Sequence, residues 1–152
     1  MARKPNQRNG SVLYWSAETW AFLALRLFLS LRSLTAGLGK FNSDSGYSFS
    51  NLYDGFVASQ SKTFAENTNL PAILYSPFLH GIAYLEILLG LALLLGIRTK
   101  YSLALLNLTY VALAFGLMLL GNTDGVARIG IFLLLTSAAL YFVRHNKCEL
   151  LR

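Results

Sequence analysis

Glu86 stands alone as a carboxylate near the middle of an almost unbroken apolar run from Pro77 to Ile97. A helix of that length crosses a hydrocarbon layer of roughly 30 Å. A carboxylate cannot stay charged in lipid, so Glu86 must be protonated, paired with a cation or turned toward a polar interior. Cations are available on the first apolar run, where Arg26, Ser30, Ser33, Gly37 and Lys40 recur every three or four residues and share one helical stripe. At about 1.5 Å per residue, Arg26 lies roughly 6 Å short of the midplane and Arg32 slightly past it. Glu86, on an antiparallel neighbour, falls between those depths. The expectation is an ion pair between Arg26 and Glu86, with Arg32 as second candidate on a different face and Lys40 completing the polar set. A lone arginine at such depth costs roughly 3 kcal/mol, which calls for a partner. Such a pair could staple two helices together, or it could serve a ligand or a proton.

Weaker signals surround this set. Asn107 reads as an interhelical hydrogen bond before a ligand contact. Arg128 follows Asp124 by four residues, a spacing that favours an ion pair and a side chain reaching for the membrane surface. His80 falls near a span end, where it is structural first and a proton carrier second. Tyr84 and Tyr110 read as packing or belt aromatics. The single cysteine, Cys148, lies in the polar tail, which excludes an intramolecular disulfide and thiol relay chemistry; juxtamembrane palmitoylation is its alternative role. His80 and His145 fall near opposite ends of their spans, so they cannot jointly hold a haem or another metal in one chain.

The elements that position these residues follow from composition. Of the 152 residues, 55% are hydrophobic and only 13% charged, and the mean hydropathy is +0.49. A soluble domain of this size could not cover so much apolar surface, so lipid is the expected solvent. The net charge of +6 gathers beside the ends of apolar runs, which marks membrane orientation and excludes nucleic acid as a partner. Spans are expected at residues 20–40, 77–97, 101–120 and 126–143. Arg26 and Arg32 interrupt the first run, and no small-residue cleavage site follows it, which favours a span over a signal peptide.

Residues 42–75 form a net acidic outer loop. Within it Phe49, Leu52, Tyr53, Phe56, Val57 and Phe64 recur at the spacing of one helical face, predicting a short amphipathic helix on the membrane surface or capping the bundle. The turn Arg98-Thr99-Lys100 is so short that spans two and three must be antiparallel. Basic residues in both tails and in that turn place both termini in the cytoplasm, with the chain in the cell inner (plasma) membrane. Gly81, Ala83, Gly90, Ala92 and Gly96 allow close helix approach. The fold expected is all-α: one membrane domain over residues 1–152, an up-down four-helix bundle.

The segments Arg26-Leu27-Phe28-Leu29-Ser30, Gly37-Leu38-Gly39-Lys40-Phe41, Gly81 to Gly90 and Leu94 to Thr99 resemble the DoxX family of small four-helix membrane proteins, which includes DoxD-like chains. The resemblance extends over residues 20–143. It implies a four-span fold and, by analogy with related subunits of thiosulfate:quinone oxidoreductase, membership of a membrane redox assembly with other membrane or periplasmic subunits. In that reading quinone is the cofactor, and Arg26, Lys40 and Glu86 occupy the family's polar positions. No haem, metal, flavin or nucleotide motif is present, so an electron donor would have to lie outside the chain. The competing reading is a non-catalytic subunit that anchors a larger complex. A small transporter is less attractive, because four spans leave little room for a substrate path.

Overall fold

The structure is a computed structural model that describes residues 15–43 and 46–151. Helix α1, Ala17–Gly39, starts three residues before the expected position because Ser16 caps it, accepting a hydrogen bond from the Thr19 N–H on its Oγ. Helix α3, Ala72–Leu95, likewise starts early, behind Pro71, and takes Pro77 inside it rather than beginning there. A proline only a few residues into a helix forfeits one hydrogen bond, which membrane helices tolerate. Helix α4 covers Thr99–Leu119 and α5 covers Thr123–Phe142. Asn122 caps α5, its Oδ1 accepting from the Gly125 N–H at 2.9 Å. These four helices are long and apolar enough to cross a membrane, and they form an antiparallel bundle. Most of the large apolar side chains that stay exposed, such as Leu88, Leu108 and Leu134, lie on these spans.

The outer loop is more structured than its sequence announces. Asn42–Ser43 and Gly46–Tyr47 pair as a small antiparallel ribbon, β1 and β2. The Asn51 side chain ties it down by donating to the carbonyls of Phe41 and Gly46. The amphipathic helix follows as two pieces, a π-helical segment Asn51–Val57 and α2, Ala58–Asn67. On an α-helix Leu52 and Val57 would point about 140° apart. The wider π turn brings them toward one side, and both are buried with Phe64, Leu79 and Ala83. Phe49 and Tyr53, expected on the same stripe, are exposed instead.

Between α3 and α4 the chain reverses within a few residues. Gly96 ends α3 at φ 72°, and Arg98 follows at φ 40°. The second of these is a left-handed backbone at a non-glycine residue, an uncommon state. The C-terminal tail supports it: the Arg98 N–H donates to the Leu151 carbonyl at 2.8 Å, and Leu150 N–H donates to Gly96 O at 3.1 Å. The tail is thereby folded back across the basic end of the bundle.

Candidate functional site

The polar stripe on α1 faces α3. Ser33 Oγ donates to the Glu86 carbonyl at 2.9 Å. Gly37 lies so close to α3 that a Cβ there would stand 2.8 Å from the Ala83 carbonyl, and one on Gly90 would stand 2.9 Å from the Leu34 nitrogen. These contacts fix the register between the two helices. Gly81, by contrast, has nothing within 4 Å of where its Cβ would be and takes no part.

That register overturns the expected Arg26–Glu86 pair. Glu86 lies level with Ser33, and Arg26, seven residues earlier on α1, is displaced from it by about 10 Å. Lys40 takes the position instead, its Nζ donating to Glu86 Oε2 in a buried ion pair and to the Ala36 carbonyl at 3.2 Å. Lys40 is as many residues from Ser33 as Arg26 is, but helical side chains lean toward the helix N-terminus, so the Lys40 stem runs back toward Glu86 while that of Arg26 runs away from it. The ring of Phe56 in the π segment covers the ammonium at 5.3 Å.

Arg26 is buried at the other end. Its Nη1 donates to Asn146 Oδ1 at 3.0 Å and to the Cys148 carbonyl, while Asn146 Nδ2 donates to Thr99 Oγ1 at 3.0 Å. Arg26 therefore joins α1, the α3–α4 turn and the C-terminal tail. Asn146 and Thr99 were not recognisable as partners in the sequence, since polar residues in a tail and at a helix start have many ordinary uses. Arg32 makes no ion pair with Glu86; its guanidinium sits 4.7 Å over the Phe132 ring of α5.

The secondary candidates divide. Asn107 exchanges hydrogen bonds with Ser137 across α4 and α5, as expected. Tyr84 Oη and Tyr53 Oη are 2.9 Å apart, and the Tyr84 ring meets Phe41 edge-on. His80 is exposed, with its Nδ1 2.7 Å from the Ser76 carbonyl and its ring beside Tyr53. The Arg128–Asp124 pair is not made: among the described residues the only other ion pair is the exposed Lys62–Glu66.

Beside Lys40 the loop borders an open cleft of about 480 Å³. Lys40, Asn51, Asp54 and Phe56 line it with backbone and side chains of the β ribbon. Lys40 is thus the link between this cleft and the buried carboxylate behind it.

A family model named DoxX matches residues 21–123, which takes in α1, the outer loop, α3 and α4. The chain belongs to the DoxX family. It is accordingly an integral membrane protein built as a helical bundle. No curated protein and no solved structure gives a significant match. Of the polar residues at issue, this DoxX-family chain carries Arg26, Lys40 and Glu86 inside the matched segment and the Arg26 partner Asn146 outside it.

Proposed function

We propose that this DoxX-family protein is a quinone-linked subunit of a membrane redox assembly. The observation that carries the reading is the buried Lys40–Glu86 pair whose ammonium also forms part of a cleft wall. A cleft of about 480 Å³ falls within the size range of small-molecule sites. Its lining suits a quinone headgroup through Lys40, a charged donor, and Phe56, an aromatic surface, with the Asp54 carboxylate on the same wall. A bound quinone would supply two-electron redox chemistry, with the electrons coming from a partner subunit.

The chain's own contribution is positioning and electrostatics. Lys40 Nζ would donate to an oxygen in the cleft and offset negative charge gathering there. Glu86 holds the ammonium in place. Phe56 covers the ammonium on the loop side and limits its access to water. The test is quinone retention by protein purified in native lipid, with membrane quinone reduction measured in cells that need the protein. Bound quinone that is lost in Glu86→Gln, with reduction falling alongside, is the expected result. Protein without quinone, and unchanged reduction in Glu86→Gln, would refute it.

A second reading, an anchoring subunit without catalysis, is favoured by the exposed aromatics Tyr47 and Phe49 on the outer ribbon and the loop that follows. They would meet a partner domain outside the membrane. A gentle detergent pull-down separates the two: a stoichiometric partner without quinone selects the anchor, and bound quinone selects the redox subunit.

A further inference from the structure

A second cleft, of about 330 Å³, opens between α1, α4 and α5, with Arg32 and Arg128 on its walls. The rest of its lining is apolar, chiefly Leu117, Ile129, Ile131 and Phe132. Arg32 is half-buried and Arg128 exposed. Neither is within ion-pair distance of a carboxylate among the described residues. Arg32 has the Phe132 ring at 4.7 Å.

Both arginines lie in the half of the bundle that carries the outer loop. Arg32 is four residues, about 6 Å, outward of the middle of α1, and Arg128 enters α5 only five residues after its first residue. Two cations lining one cleft at membrane depth without a direct ion-pair partner are costly. Their placement is also contrary to the usual gathering of cations at the cytoplasmic side. A cation pair above an apolar wall is the complement of an anionic amphiphile.

We propose that this cleft binds an anionic phospholipid of the outer leaflet. Its phosphate would bridge Arg32 and Arg128, and an acyl chain would lie along Ile129, Ile131 and Phe132. Arginine suits this use, because its planar fork meets two phosphate oxygens at once. The exposure of Arg128 lets the headgroup stay at the interface, while Arg32 reaches outward along its own stem.

Lipid binding to the full-length protein can be counted by native mass spectrometry from mixed phosphatidylglycerol and phosphatidylcholine micelles, with thermal stability followed in discs of each lipid. One retained phosphatidylglycerol, and higher stability in phosphatidylglycerol discs, are expected. Arg32→Gln and Arg128→Gln should each weaken retention by about five- to tenfold, as the loss of one cation near a membrane surface implies. Arg144→Gln, at the opposite end, should leave retention unchanged. Arg128→Gln lies at an exposed position, so it keeps the test valid should Arg32→Gln fold poorly. Equal retention of both lipids, or a preference surviving in the double variant, would overturn the proposal. So would a dimer whose cross-links run through position 128, which would give the arginines a protein counter-charge. Inorganic phosphate added to phosphatidylcholine discs should not reproduce the stabilisation; if it did, the lipid assignment would fall.

Discussion

Lys40 and Glu86 show how a buried charge pair couples stability to a candidate site. Both side chains are largely withdrawn from solvent, so removing one leaves the other without compensation. Lys40→Ala should destabilise the protein by about 3–5 kcal/mol, whereas Lys40→Met combined with Glu86→Met should recover most of that loss. Denaturant or detergent unfolding of the two variants checks this, and equal instability in the single and double variants would contradict it. Arg26 follows another logic. It meets an amide oxygen and a backbone carbonyl rather than a carboxylate, and its Nε has no hydrogen-bond partner. Its position in the α1 stripe was legible from spacing, but its partner lies 120 residues away in sequence.

At the scale of the element, α1 and α3 are joined through small residues. A Cβ on Gly90 would stand 2.7 Å from the Leu34 side chain and 3.0 Å from the Ser30 carbonyl. Gly90→Leu should therefore push the helices apart and cost about 1–3 kcal/mol or more from overpacking. Gly81→Ala, in open space, should be neutral or stabilising by up to about 1 kcal/mol through helix propensity. Thermal unfolding of the pair distinguishes a register set by close packing from one set only by hydrophobic length. The amphipathic segment teaches a related lesson. Its apolar pattern was visible, but the faces that become buried depended on a π turn that no periodicity of 3.6 residues anticipates.

Across the whole molecule the two ends differ. One carries Arg98, Lys100, Arg144 and His145 with the folded-back tail, and the other carries the ribbon, the π segment and α2. By the usual gathering of cations on the cytoplasmic side, the basic end is expected to face the cytoplasm. In intact cells lacking the native cysteine through Cys148→Ser, an impermeant maleimide should label Phe49→Cys directly and Leu150→Cys only after permeabilisation. Both positions are exposed, so the reverse pattern would invert the assigned topology.

The sequence by itself determined the solvent, the number of spans, their antiparallel order and the stripe of polar residues that α1 turns toward α3. Those properties depend on hydropathy, helical period and loop length, all local along the chain. Only the tertiary structure decided which cation meets Glu86. Helix register is set by where Gly37 and Gly90 let backbones touch, and with Ser33 level with Glu86 the N-terminal lean of helical side chains brings Lys40 to the carboxylate and carries Arg26 away from it. The tail's bond to Arg26 and the cleft between Arg32 and Arg128 are likewise long-range pairings, and spacing within any single helix carries no record of them.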